Sequence, residues 1–417
     1  LELAQQRKKM ESTVPDMIFD GDPNSGFGSK IACGDVDGDG YDDILIGAGR
    51  YNNKRGRVCL FYGGPDMNTT ADLIFEGQNE GEFFGNGIVC GDIDNDGYDD
   101  IVIAASFFNE KRGRAYLYWG SDRNSMDAKP DKIFVGEEEK GSEFGACYPA
   151  VYDIDNDGYD DIILGACNSH DRTGTGRAYL HYGNKKELMD TSADLIFTGE
   201  NPEDRFFGYT ISCGDINSDG FGDIVVGGYA SQGRAYLYYG GSKSNMDAKA
   251  DVIFKVKSEG NDHFGTGTVC VDQNRDGYDD VVIGATGYNV WQGRAYLFHG
   301  NSKSSMDADP DMILDGEVEY NSRFGFREVC GDIDGDKVND LIIGAYLYRQ
   351  RAGRVYVYWG SELSAPDPKP GRILTGENPN DEFGVELACG DVNNDGFDDL
   401  VVGAYGYKAG AKQEGAY

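Results

Sequence analysis

Oxygen-bearing side chains recur on alternate residues at seven places in this chain, in the pattern Asp-x-(Asp/Asn)-x-Asp-Gly-(Tyr/Phe)-x-Asp. The oxygen positions are Asp35, Asp37, Asp39 and Asp43; Asp92, Asp94, Asp96 and Asp100; Asp153, Asp155, Asp157 and Asp161; Asp215, Asn217, Asp219 and Asp223. The later copies supply Asp272, Asn274, Asp276 and Asp280; Asp332, Asp334, Asp336 and Asp340; Asp391, Asn393, Asp395 and Asp399. Side chains at positions 1, 3 and 5, a glycine at 6 and a carbonyl at 7 form the front half of a calcium loop, with Asp at 9 closing it. The carbonyls belong to Tyr41, Tyr98, Tyr159, Phe221, Tyr278, Val338 and Phe397. A hard cation takes about six to eight oxygens, and each copy offers three or four carboxylates. Asp, Asn and Gly also make ordinary turns. A turn, however, requires neither alternating acids nor the fourth Asp, and so many like charges repel without a counter-ion. Up to seven Ca2+ ions, one per copy, are therefore expected.

The net charge of -35 excludes a nucleic-acid surface, which needs clustered basic residues. No run of 18 or more apolar residues exists, so no transmembrane segment is expected. Residues 1–14 are polar and charged and read as an N-terminal extension, lacking the apolar core of a signal peptide. Six of the nine cysteines (Cys33, Cys90, Cys213, Cys270, Cys330, Cys389) hold one repeat position, which suits buried free thiols on an inner strand better than paired disulfides.

Positioning these loops requires a repeated frame. A Phe-Gly pair precedes each loop, at Phe27, Phe84, Phe144, Phe207, Phe264, Phe324 and Phe383, at the spacing of a four-stranded unit. The strands read as the segment entering the loop (Ile31 to Cys33), an apolar run after it (Ile44 to Ala48, Ile342 to Ala345), Gly-Arg with alternating aromatics (Arg114 to Tyr118), and Asp-x-Ile-Phe (Asp72 to Phe75). Seven such units predict an all-β, seven-bladed β-propeller over 15–417, because radial repetition leaves only short edges. The first Asp-x-Ile-Phe, Asp16 to Phe19, precedes the first Phe-Gly, and the chain stops inside the last third strand, at Gly415 to Tyr417. Residues 15–21 are thus expected to complete the last blade as its fourth strand.

Phe-Gly, the acidic loop, Ile-Gly-Ala and Gly-Arg-Ala-Tyr, recurring in that order, resemble the FG-GAP repeat of integrin alpha-subunit heads over nearly the whole chain from Pro15. The resemblance implies seven blades, Phe-Gly on the inner strand, Asp-x-Ile-Phe on the outer strand, and calcium loops on one face. Ligands in all seven loops, and no inserted domain, point to a bacterial-type or stand-alone variant. Blade 3 carries an extra residue, suggesting a bulge near Pro149. Lys337 in place of the loop glycine, Gln273 and Arg275 beside the ligands, and Asn217 with Gly222 mark blades 6, 5 and 4 as the weaker sites.

The function expected is a non-catalytic, calcium-binding interaction or adhesion module, outside the cell, at its surface or in the periplasm, alone or as part of a larger surface protein. Weak extracellular sites of about 10⁻⁴–10⁻³ M require such calcium. A protein or glycan ligand would meet the connections between second and third strands: Gly49 to Arg55, Ser106 to Arg112, Asn168 to Thr175, Tyr288 to Gln292 and Tyr346 to Ala352. Phe107, Phe108, Tyr288, Trp291, Tyr346 and Tyr348 are expected to be exposed there. Alternatives are a lectin-like propeller binding sugars multivalently, or an accessory domain of a surface hydrolase. No catalytic constellation is recognised, and His170, His181, His263 and His299 read as packing residues. The Gly-Arg arginines are expected to pair with carboxylates between blades.

Overall fold

The computed structural model describes residues 15–407 apart from 138–140, 147, 168–174, 202–203, 205, 231–232, 257–259 and 363–366. The N-terminal extension, His170, most of the Asn168 to Thr175 connection and the expected strand at Gly415 to Tyr417 therefore lie outside the described residues. The first unit holds β1 (Phe27–Gly34), β2 (Asp43–Ala48), β3 (Arg57–Phe61) and β4 (Leu73–Glu76). The second and third hold β5 (Ile88–Gly91), β6 (Asp100–Ala104), β7 (Arg114–Tyr118), β8 (Lys132–Val135), β9 (Ala150–Tyr152), β10 (Asp161–Ala166), β11 (Arg177–His181) and β12 (Leu195–Thr198). The fourth and fifth hold β13 (Thr210–Gly214), β14 (Asp223–Gly228), β15 (Arg234–Tyr238), β16 (Val252–Phe254), β17 (Phe264–Val271), β18 (Asp280–Ala285), β19 (Arg294–Phe298) and β20 (Met312–Asp315). The sixth holds β21 (Glu328–Gly331), β22 (Asp340–Gly344), β23 (Arg354–Tyr358) and β24 (Arg372–Thr375), and the last β25 (Leu387–Gly390) and β26 (Asp399–Val402).

Six units form four-stranded antiparallel sheets with strands in chain order. The second strands of the first five are buried throughout because neighbouring blades cover both faces. Fourth strands alternate, as in β4, where Phe75 is buried between exposed Ile74 and Glu76.

Two expectations are corrected. The described residues show six four-stranded blades, not seven, since the last unit contributes only the pair β25–β26. Residues 15–21 contain no strand, and the third strand they were to pair with lies outside the described residues. The inner strands nevertheless touch in the order β1, β5, β9, β13, β17, β21, β25 and back to β1. Phe19 lies edge-on to Phe61 of the first unit at 4.7 Å. The fourth-strand rings Phe75, Phe134 and Phe197 meet the next unit's third strand at 4.7, 4.8 and 4.6 Å in the same way.

Phe-Gly lies within a strand only in β1 and β17. In the second, third, sixth and seventh units the phenylalanine instead makes a parallel bridge to the Gly-Arg glycine of the preceding unit: Gly56–Phe84, Gly113–Phe144, Gly293–Phe324 and Gly353–Phe383. The motif is thus largely an inter-blade joint, and the bridging glycines take φ near +85 to +90°, which costs a Cβ-bearing residue strain. In the third unit the inner strand is short, β9, and Tyr148 lies just before it. There Lys30 Nζ stands 3.5 Å from its ring centre and Arg327 4.5 Å, while both cations pair with Glu386.

Candidate metal centre

All seven acidic loops connect the first strand of a unit to its second. Their conformation follows from the sequence. Position 4 is left-handed in every loop (Gly38, Asn95, Asn156, Ser218, Arg275, Gly335, Asn394), as is position 6, filled by glycine in six and by Lys337 at φ 68° in the sixth. This coil turns two backbone amides onto the position 1 carboxylate. Asp39 and Gly40 donate to Asp35 at 3.0 and 2.9 Å, and the other loops repeat the pair.

The position 9 carboxylates are completely buried in the first six loops. Each of five is held by two amides, that of position 2 and that of the glycine after the third strand, as Val36 and Gly63 hold Asp43 at 3.0 and 2.8 Å. Burial pushes Asp43, Asp100, Asp161 and Asp340 up to about 8, outweighing these donors.

Carboxylate oxygens converge in four loops. Those of Asp35, Asp37 and Asp39, of Asp92, Asp94 and Asp96, and of Asp332, Asp334 and Asp336 lie within 4.8 Å of one another, as do those of Asp153, Asp155 and Asp161. Asp94 is 6% exposed; its Oδ1 is buried without a hydrogen bond, as is Oδ1 of Asp155, while Oδ2 of Asp94 faces Lys186 Nζ at 3.3 Å. Lone pairs held together with no donor are what a cation would satisfy. In the fourth and seventh loops the position 3 residue is Asn, and its amide turns to the position 9 carboxylate: Asn217 to Asp223 at 2.9 Å and Asn393 to Asp399 at 2.8 Å. In the fifth, His299 Nδ1 lies 3.1 Å from Asp280 and 3.4 Å from Asn274. His299 therefore touches the loop chemistry and is not simply packed, whereas His181 is buried edge-on to Phe134.

Residues outside the motif also shape these sites. Position 8 is Asp42, Asp99, Asp160, Asp279 and Asp398, and each accepts from the position 1 amide of the preceding unit, at 2.8 to 3.1 Å. Each also donates its own amide to that residue's carbonyl, giving a reciprocal latch. One such latch, Asp42 with Asp391, joins the first unit to the last. Recurrence of Asp at this position was the available signal.

On the opposite connections the aromatic residues expected to be exposed are half-buried, and Tyr348 is 2% exposed. Three stack on the Gly-Arg guanidinium groups, Phe108 on Arg114 at 3.5 Å, Tyr288 on Arg294 at 3.6 Å and Tyr348 on Arg354 at 3.8 Å, while Phe107, Trp291 and Tyr346 pack on the rings of Phe83, His263 and Phe326. Some of these arginines bridge blades, Arg177 to Glu137 and Arg354 to Glu317, while Arg294 pairs with Asp315 inside its own sheet.

The fold and the loops together define a class, the repeat propellers. The FG-GAP repeat model matches residues 27–61, 149–181, 207–238, 324–358 and 383–416, and an FG-GAP-like repeat model matches 92–164. The chain belongs to the FG-GAP repeat family and resembles the integrin alpha head. Integrin alpha-5 of Xenopus laevis is 34% identical over 193 residues, 43% of this chain and 18% of that protein. Integrin alpha pat-2 of Caenorhabditis briggsae is 28% identical over 252 residues, 52% of this chain and 20% of that protein, and human integrin alpha-IIb is 35% identical over 152 residues, 34% and 14%. The chain thus spans about a fifth or less of these relatives. No helix among the described residues is long and apolar enough to cross a membrane.

Proposed function

We propose that this chain is a calcium-stabilised, non-catalytic FG-GAP propeller acting outside the cell as an interaction or adhesion module. The observation that carries it is the convergence of loop carboxylates around buried oxygens left without donors, Oδ1 of Asp94 and Oδ1 of Asp155. Positions 1, 3, 5 and 9 with the position 7 carbonyl would hold each ion, and its charge would offset the carboxylates. The likeness to integrin alpha chains supports the adhesion reading, with a protein or glycan as ligand. Closure of residues 15–417 as one seven-unit ring is part of the proposal, supported by Phe19 on Phe61 and by the Asp42–Asp391 latch.

Calcium at about 1 mM on sites of about 10⁻⁴–10⁻³ M stabilises each by roughly 0.4–1.4 kcal/mol, or about 3–10 kcal/mol for seven independent sites. Differential scanning calorimetry in calcium and in excess chelator is the test. A sharply lower melting temperature in chelator is expected; identical melts would refute the reading.

A further inference from the structure

Each loop of the first four units is touched by a cation from the following unit, placed in the connection between its third and fourth strands. Arg123 pairs with Asp37 and Asp39. Lys186 Nζ stands 3.3 Å from Asp94 and 2.7 Å from Asp96. Lys243 stands 3.4 Å from Asp155 and 2.8 Å from Asp157, and Lys303 2.8 Å from Asp219. Every one also lies over the aromatic ring that immediately follows the preceding unit's third strand: Tyr62, Trp119, Tyr182 and Tyr239, at 4.7, 5.6, 4.9 and 5.0 Å. The four contacts are one arrangement repeated.

The carboxylates these arms reach are those at positions 3 and 5. At positions 1 and 9 both oxygens take backbone amides, whereas at position 5 the position 7 amide takes Oδ1 and the arm takes Oδ2. The arm and a divalent ion would therefore draw on the same oxygens.

In the fifth loop the contact is a different one: Arg275, at loop position 4, pairs at 2.9 Å with Glu362, one residue before the position equivalent to Arg123. The seventh loop is approached by Gly64, whose amide donates to Val392 O at 2.8 Å, but the segment from Gly64 to Met67 has no cation.

We propose that Arg123, Lys186, Lys243 and Lys303 are tethered counter-ions. They hold the acidic loops of the first four units when no divalent ion is present and are displaced when one binds. Occupancy of one unit's loop is thereby passed to the third-to-fourth connection of the next. The inference rests on the calcium reading of the loops. It makes calcium affinity at these four sites the outcome of a competition between an exposed side chain and an ion, and leaves the seventh loop outside it.

The test compares the intact chain carrying R123Q, K186Q, K243Q and K303Q with a control matched in charge, K54Q, K129Q, K249Q and K369Q, whose lysines are exposed and take no part in the arm contacts. Calcium isotherms by titration calorimetry should show about fivefold tighter binding at four sites in the arm variant, the factor set by loss of an exposed ion pair of ~1 kcal/mol, and no such change in the control. Melts should show the arm variant less stable than wild type in chelator and equal to it in saturating calcium. Affinities equal to the control's, or the same loss of melting temperature with and without calcium, would overturn the proposal and make the arms plain structural ion pairs. Wild type that binds no calcium would instead remove the loop reading itself. K186Q alone, measured in the same way, decides the matter should the fourfold variant fail to fold.

Discussion

Replacing Asp42 by Ala probes whether the ring is closed in solution. Asp42 Oδ2 accepts from the Asp391 amide at 2.9 Å, a bond between residues at opposite ends of the chain. Removing a charge-assisted acceptor from a half-buried amide costs about 1.5–3 kcal/mol. Part is offset, because burial and the neighbouring Asp398, Asp35 and Asp391 disfavour the ionised Asp42 and hold its carboxyl above the ordinary range. A net loss of about 1–2 kcal/mol follows, or about 1–2 °C in melting temperature for a chain of this size. The sharper readout is hydrogen exchange: protection of the Asp391 amide should fall about tenfold per 1.4 kcal/mol. Asp99→Ala is the comparison, since Asp99 makes the same bond to Asp35 at 3.0 Å between adjacent units. Equal losses indicate a closed ring. No effect of Asp42→Ala beside a clear effect of Asp99→Ala would refute closure while leaving the latch intact.

Glu328 occupies the inner-strand position held elsewhere by Ile31, Ile88 and Ile211, and both its oxygens are buried without a hydrogen bond. Burial raises it to about 8, so the folded chain binds its proton more tightly than the unfolded chain and stability falls as pH rises from about 4.5 to 8. Glu328→Ile should therefore stabilise the protein by about 3 kcal/mol at pH 7 and remove that slope, measured by denaturant unfolding; an unchanged slope would count against it. His181 behaves oppositely: burial lowers it to about 4, the unfolded state takes the proton first, and stability falls as pH drops from 6.5 toward 4. His181→Phe, the residue found at the equivalent Phe61 and Phe298, should abolish a loss of about 2 kcal/mol between pH 8 and pH 5 in melts followed by circular dichroism. Gly113→Ala should destabilise by more than 2 kcal/mol, because φ is +85° and the added Cβ would meet the Phe144 backbone; a melt within 1 °C of wild type would contradict the joint described for Phe-Gly.

The sequence by itself determined the loops, their order and the strand segments of six units, because each is a local pattern: alternate oxygens at fixed offsets, a left-handed position 6, and apolar runs such as Ile44 to Ala48. Recurrence made each pattern legible several times over. Tertiary structure alone decided what lies across the joints. Asp42 and Asp391 are 349 residues apart, and Arg123 and Asp37 are 86 apart, so no local period links them. Whether Phe108 or Tyr348 faces solvent depended on the guanidinium that the following third strand brings beneath the ring. The role of the Asp at position 8 is not legible within its own loop, because its partner is an amide in the neighbouring blade, and backbone amides carry no signature in sequence.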